Sequence, residues 1–312
     1  MASILTVLLN PAIDIASTTR RVEPTHKVRT KGQLHHPGGG GANVARVIAE
    51  LGGDAELAFL CGGVTGPLYE SLLAEYAMKL RSFAMKGPVR ISYTVRELST
   101  GHEYRFVPEG PQVSDGELLP LMEFVETFRG DYLVASGSLP LGADEAIYAR
   151  MAAMAARNHV RFVLDTSGEA LRAALDSGGI FLVKPSQREL EQIAGRELDI
   201  AGVEREAAAL VARGAARHVA VSLGAEGALL ANADGVLHLP AIKVEAKSAV
   251  GAGDSFLGGM VHWLAAGRSP ADSFRFAMAA GAAAVLHEGT SLCRREDAIR
   301  LYEAMPALPA QV

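Results

Sequence analysis

"IFLVKPSQRELEQIAG", residues 180–195, carries two different periodicities in one short stretch. The first four residues are an unbroken apolar run. After Lys184, Pro185 and Ser186, apolar residues recur at Leu190, Ile193 and Ala194, the i, i+3, i+4 spacing of one helix face. An apolar run without alternation reads as a strand covered on both sides, and the second pattern as an amphipathic helix. The same alternation extends outward in both directions. Strands are expected at 4–9, 55–61, 132–136, 161–165, 180–184, 218–223 and 227–231. Helices are expected in "GANVARVIAELG", "YARMAAMAARN", "SQRELEQIAG" and "GVEREAAALVARG". Strands of this type joined by helices form an α/β fold, a mainly parallel central sheet with helices on both faces. Such sheets hold ligands at the carboxyl ends of their strands.

Two regions break the rhythm. Residues 12–36 hold two polar strand-like stretches with no helix between them, and residues 89–107 alternate apolar and polar around a turn at "STGHE". Neither has enough apolar residues to fold alone, so the two are expected to pair into a small sheet standing off the main one as a lid. One face of that sheet then needs a cover, either a ligand cleft or a second subunit. The 312 residues show no repeat and no linker, and are read as a single domain carrying this lid.

With 49% hydrophobic residues, 21% charged residues and a net charge of −5, the chain can bury a large core. It offers no basic footprint for nucleic acid or an anionic membrane. The opening "MASILTVLL" lacks a basic leader and reads as a buried first strand rather than a signal peptide. No apolar run reaches the roughly 18 residues of a membrane span. Cys61 and Cys293 lack metal-ligand spacing and read as structural, reduced thiols of a cytoplasmic protein. Adjacent His35 and His36 would point to opposite faces of a strand and make a poor ligand pair.

Two glycine clusters carry the functional reading. In "HHPGGGGANVARVIAELGG", 35–53, four glycines leave the backbone open to close approach, and a helix begins near Ala42. In "AVGAGDSFLGG", 249–259, glycines precede Asp254 and a helix whose clearest part is "MVHWLAA". Neither is a Walker A loop or a G-x-G-x-x-G dinucleotide motif. A helix N-terminus favours an anion, and Asp254 is either that anion or a group standing beside a bound one.

Together, "PGGGGANVARVIAELGG" and "SAVGAGDSFLGGMV" resemble the two signatures of the PfkB, or ribokinase, family of carbohydrate kinases. The likeness continues through "LNPAID", "SGSLPLG", "DTSGEALRAAL", "VKPSQREL" and "VSLGAEGALL", and the pattern is closest to the branch acting on hexose phosphates. It implies a ribokinase-like fold and a kinase that moves the ATP phosphoryl group to the 1-hydroxyl of fructose 6-phosphate. Tagatose 6-phosphate and fructose 1-phosphate are alternative acceptors, and a sugar-phosphate sensor without activity is a third reading.

By this resemblance Asp254 is the general base, and the N–H groups of Gly251, Ala252 and Gly253 form an anion hole. Asp14, Gly39, Gly40, Asn43 and Ser138 fall on the sugar side, and Lys27, Arg90 and Arg105 on the lid meet the sugar's phosphate. Lys184, Ser222, Gly224 and Gly227 fall on the ATP side, and Glu189 helps hold Mg²⁺ through water. Ser248, Val250, Gly289 and Ser291 offer oxygens to a monovalent cation such as K⁺. The family's lid often meets its twin, so a homodimer is expected. The chain departs from the family at Ser186, where asparagine is usual, at Ala249 for threonine and at His287 for asparagine.

Overall fold

The computed structural model describes residues 2–248, 250–287, 289 and 291–307. Ala249, one of the three departures, lies outside them.

The chain opens with β1 (Ile4–Leu8), enters the lid as β2 (Ala12–Thr19) and β3 (Lys31–Gly38), and returns through α1 (Gly40–Glu50) to β4 (Ala55–Gly62). Next come α2 (Gly66–Leu73) and β5 (Lys79–Met85), then the second lid hairpin, β6 (Arg90–Glu97) and β7 (Glu103–Phe106). Regular alternation follows with α3 (Asp115–Thr127), β8 (Tyr132–Ser136), α4 (Ile147–Arg157), β9 (Arg161–Asp165), α5 (Gly168–Ser177) and β10 (Ile180–Val183). Helices α6 (Gln187–Ala194) and α7 (Ile200–Ala212) lead to β11 (Ala216–Ser222), β12 (Ala228–Asn232) and β13 (Gly235–Leu239). Three helices, α8 (Ala252–Ala265), α9 (Pro270–Ala284) and α10 (Arg295–Ala304), complete the fold.

The main sheet runs β13-β12-β11-β10-β9-β8-β1-β4-β5. It is parallel from β11 to β5, and only β12 and β13 pair antiparallel. Its inner strands are the apolar runs of the sequence; β1 and β8 are buried at every position. The sequence reading omitted β5 and β13, because both lie on sheet edges and lack a continuous apolar run. Strand order reverses at β1, with β8 and its successors on one side and β4 on the other. The crevice at that reversal is where α/β sheets bind ligands.

The lid is a four-stranded sheet, β3-β2-β6-β7, as expected from its alternation. Strand β2 pairs antiparallel with β3 and parallel with β6, joining the two polar segments. Only Leu9, Asn10 and Pro11 separate β1 from β2, so the lid rises directly from the reversal point.

Both cysteines are buried and free, and burial pushes each thiol up to about 12, far from reactive. Among the described residues no helix is long and apolar enough to cross a membrane.

Candidate active site

The carboxyl ends of five neighbouring strands supply one face of the site. Asn10 follows β1, Ser138 follows β8, and Asp165 ends β9. Lys184 follows β10 and Ser222 ends β11. Lys184 is 7% exposed, and its Nζ lies 3.0 Å from Asp165 Oδ1. Burial alone would lower the Lys184 pKa, but Asp165, with Asp254 and Glu189 beyond it, holds the ammonium above its ordinary value.

The opposite face is the mouth of α8. This helix begins at Ala252, well before the segment that the sequence shows most clearly, so Asp254 lies in its first turn and Gly251 is the cap. Gly251 takes φ +79°, a left-handed conformation, and a Cβ there would meet Leu292 at 2.8 Å. The first N–H groups of the helix have no carbonyl four residues back, which leaves those of Ala252 and Gly253 for an anion. A Cβ on Gly253 would meet only Lys184 Nζ, at 3.5 Å, so the ammonium faces the same opening.

Asp254 accepts a 2.8 Å hydrogen bond from Asn43 Nδ2 on Oδ2. Burial pushes its carboxyl up to about 6; Asp165 adds to the rise, Asn43 and Lys184 oppose it, and Asp14 adds a little more. A carboxylate poised there accepts a proton readily near neutral pH. Asn43 was expected to read the acceptor's hydroxyls. Its amide oxygen accepts from Arg46 at 3.0 Å and one amide hydrogen serves Asp254, leaving one hydrogen and one oxygen lone pair for a ligand.

On the lid, Asp14 shares the inward face with Arg90, Ser92, Thr94 and Arg105, because β2 and β6 are paired in register Asp14 to Ser92 and Thr94 lies opposite Arg105. Burial raises the Asp14 pKa, and the Ser92 hydrogen bond and the charges of Arg105, Arg90 and Arg46 partly offset this. Arg90 donates to the carbonyls of Pro108 and Asn10, at 2.7 and 3.3 Å. Lys27 stands apart: it is exposed, in the loop beyond the outer ends of β2 and β3.

The glycine run also serves close packing, beyond the open approach read in the sequence. A Cβ on Gly38 would fall 2.1 Å from Asp14 Oδ2, one on Gly39 would strike Leu8, and one on Gly40 would lie 2.3 Å from Ser136 Oγ. The space is filled by protein, so these glycines let the chain pack against β1, β2 and β8. Ser138 Oγ accepts from Asn10 Nδ2 at 3.1 Å.

The ATP-side residues line a cavity of about 530 Å³. Lys184, Ser222, Gly224 and Gly227 stand on one wall and Gly253 and Phe256 on another. Glu189 faces Lys184 from α6, where it also closes a capping box: Oε2 accepts from Ser186 N–H at 2.7 Å and Ser186 Oγ accepts from Glu189 N–H. Ser186, read as a shortened polar arm, is thus the cap that orients Glu189, whose second oxygen carries no bond within the box. Ser248 Oγ donates to Glu103 of the lid at 3.4 Å and accepts from Val250 N–H. A Cβ on Gly251 would lie 3.1 Å from the Ser291 carbonyl oxygen, and one on Gly289 3.1 Å from Ala16. Gly251, next to Val250, therefore lies against Ser291, and Gly289 lies against the lid. His287 meets Asp297 at 3.0 Å.

Three residues of this constellation escaped the sequence reading. Asp165 is marked by its position at the end of a buried strand. Asn10, 1% exposed, donates to Glu109 O, Ser138 Oγ and Leu139 O, tying β1 to the lid's exit and the 138 loop. Arg46 gives no periodic signal, since an arginine in a helix normally faces solvent.

The sequence pattern of the pfkB family carbohydrate kinases matches residues 7–297. The chain belongs to that family. A PfkB relative, the ATP-dependent 6-phosphofructokinase isozyme 2 of Escherichia coli (strain K12), is 40% identical over 304 residues, covering 97% of this chain and 98% of the relative. The phosphofructokinase-2 of Escherichia coli in complex with potassium superposes with a TM-score of 0.92 at 39% identity, covering 97% of this chain and 99% of that one. The ribokinase-like fold is shared more widely. A ribokinase of Arabidopsis thaliana complexed with ribose and ATP gives a TM-score of 0.74 at 21% identity over 98% of this chain and all of its own, a likeness of fold alone. The matched span contains both the glycine run and the Gly251–Asp254 turn.

Proposed function

We propose that this PfkB kinase transfers the γ-phosphoryl group of MgATP to the 1-hydroxyl of fructose 6-phosphate. The near-full-length similarity to 6-phosphofructokinase isozyme 2 supports the acceptor. The observation that carries the chemistry is Asp254, a carboxylate raised to about 6 in the first turn of α8 and facing both the lid carboxylate Asp14 and the Lys184 cavity. Asp254 removes the proton from the 1-hydroxyl as its oxygen bonds to the γ-phosphorus, and the bond to the β-bridging oxygen breaks to release ADP. The N–H groups of Gly251, Ala252 and Gly253 and the Lys184 ammonium face the charge that gathers on the moving group. Asp14 and Asn43 hold sugar hydroxyls, and Arg90 and Arg105 meet the 6-phosphate with Ser138.

Magnesium enters with ATP, and the Glu189 oxygen left free by the capping box fits a contact through the ion's water shell. Oxygens of Ser248, Val250, Gly289 and Ser291 would hold a potassium ion, which would fix the turn leading into the anion hole; exchange of K⁺ for a non-activating cation should slow turnover. We read the chain as one cytoplasmic domain that dimerises through the lid's outer face, where Ile91 and Phe106 are exposed on the side opposite Asp14. Lys27, at the outer end of that sheet, would then act on the partner's site. A concentration-independent, active monomer in light scattering would contradict this.

The test is ADP release from MgATP with fructose 6-phosphate, fructose 1-phosphate, tagatose 6-phosphate, fructose and ribose, each beside an Asp254→Asn control. Strong preference for fructose 6-phosphate, lost in the variant, supports the glycolytic phosphofructokinase reading. Preference for another acceptor keeps the chemistry and replaces the substrate. Binding without ADP formation overturns both.

A further inference from the structure

Arg46 lies inside α1 with only 6% of its surface exposed. Its guanidinium donates to Pro37 O at 2.9 Å, to Asn43 Oδ1 at 3.0 Å and to Tyr76 Oη at 2.7 Å, and lies over the Tyr76 ring at 4.4 Å. Its Nε has no partner, and among the described residues the Asp14 carboxylate acts on it through space without forming an ion pair. A buried cation without a paired anion is costly, and a methionine of similar length would fill the space without that cost. Packing alone therefore does not account for arginine here.

The contact with Asn43 does. The two ends of an asparagine amide have nearly the same shape and differ only in hydrogen-bonding sense. A guanidinium is a donor at every nitrogen, so Asn43 must turn its oxygen toward Arg46. Its nitrogen then faces Asp254 Oδ2, at 2.8 Å. The reversed amide would place N–H against guanidinium and oxygen against carboxylate, two repulsive contacts at once. Arg46 and Asn43 are three residues apart on one helix face, whereas Asn43 and Asp254 are joined only by the fold.

We propose that Arg46 is a positioning residue for the catalytic base: by holding Asn43 Oδ1 it fixes Asn43 Nδ2 on Asp254 Oδ2 and leaves Asp254 Oδ1 as the oxygen presented to the acceptor hydroxyl. The proposal rests on the kinase reading of Asp254 given above.

The experiment uses the full chain and five proteins: wild type, Arg46→Met, Arg46→Lys, Asn43→Ala and the Arg46→Met/Asn43→Ala double variant. It measures kcat and KM against pH with MgATP and fructose 6-phosphate, and follows Asp254 in the free protein by ¹³C NMR of labelled aspartate carboxylates. Arg46→Met should lower kcat about 10- to 100-fold, the cost of a misplaced reacting group, with the KM for MgATP within about twofold. The Asp254 titration should move to higher pH, because the Asn43 hydrogen bond that lowers it is lost. Arg46→Lys, which keeps a donor toward Asn43, should restore part of both. The double variant should match Asn43→Ala in rate and titration, since Arg46 acts through Asn43.

Unchanged kcat and titration in Arg46→Met, or losses that multiply in the double variant, would overturn the proposal. Should Arg46→Met not fold, Arg46→Lys decides: a slower enzyme with a raised Asp254 titration supports it, and one with an unmoved titration overturns it. A wild type that releases no ADP with fructose 6-phosphate counts against the proposed function alone, since the carboxylate titrations still test Arg46.

Discussion

Lys184 Nζ and Asp165 Oδ1 meet at 3.0 Å, linking the carboxyl ends of β10 and β9 at the floor of the crevice. Asp165 keeps the Lys184 ammonium charged in a place where burial alone would disfavour it. Lys184→Met strands the Asp165 carboxylate, and the loss of stability should be about 3 kcal/mol, the cost of breaking a buried pair. Lys184→Met/Asp165→Asn should recover much of that stability without recovering MgATP affinity. Denaturant unfolding of both variants, beside the KM for MgATP, separates the two effects.

Asp254→Asn keeps the shape of the base and removes its proton affinity. Turnover should fall about 10²- to 10⁴-fold, the usual contribution of a positioned base. Dissociation constants for MgATP and fructose 6-phosphate, measured by calorimetry, should stay within a few-fold of wild type.

The pH dependence follows from the same carboxyl. With Asp254 at about 6, kcat/KM should be level above pH 7 and fall tenfold per pH unit well below 6, as the base becomes protonated. Stability has the opposite sense. A carboxyl raised in the folded state binds more protons there than in the unfolded chain between about pH 4 and 6, so its cost appears as pH rises through that window. Asp254→Asn should therefore be more stable than wild type at pH 7, by roughly 1 kcal/mol after solvent screening, and the difference should vanish near pH 4. Thermal melts at the two pH values decide it.

Gly38→Ala places a methyl group 2.1 Å from Asp14 Oδ2 and must displace that carboxylate. The KM for the acceptor should rise about tenfold or more, worth about 1.4 kcal/mol, with the KM for MgATP unchanged. Asp14→Ala combined with Gly38→Ala should bind the acceptor no worse than Asp14→Ala alone.

The parts of this molecule legible in its sequence are those governed by local pattern. Strands such as Tyr132–Ser136 and Arg161–Asp165 stand out because burial on both faces demands an unbroken apolar run. The lid hairpin Arg90–Phe106 stands out because a sheet with unlike faces demands alternation. The edge strands Lys79–Met85 and Gly235–Leu239 obey neither demand. Motif likeness pointed to Asp254, Lys184 and Asp14 as parts of one site, but the bond from Asn43 to Asp254 was not legible, because the two residues lie 211 positions apart. Ser186 looked like a loss when compared with asparagine; beside Glu189 it is a helix cap.

The overlap between Gly38 and Asp14 also gives their history a direction. A lineage that first replaces Gly38 jams the carboxylate and loses acceptor binding while the rest of the site is intact. A lineage that first loses Asp14 removes the nearest obstacle to a side chain at position 38, so that a small one can settle there. Once that has happened, restoring the aspartate alone cannot restore the site, because the returning carboxylate meets the new side chain. Abandonment of this acceptor is thus a ratchet, and an unbroken glycine at position 38 marks a chain that has not passed it.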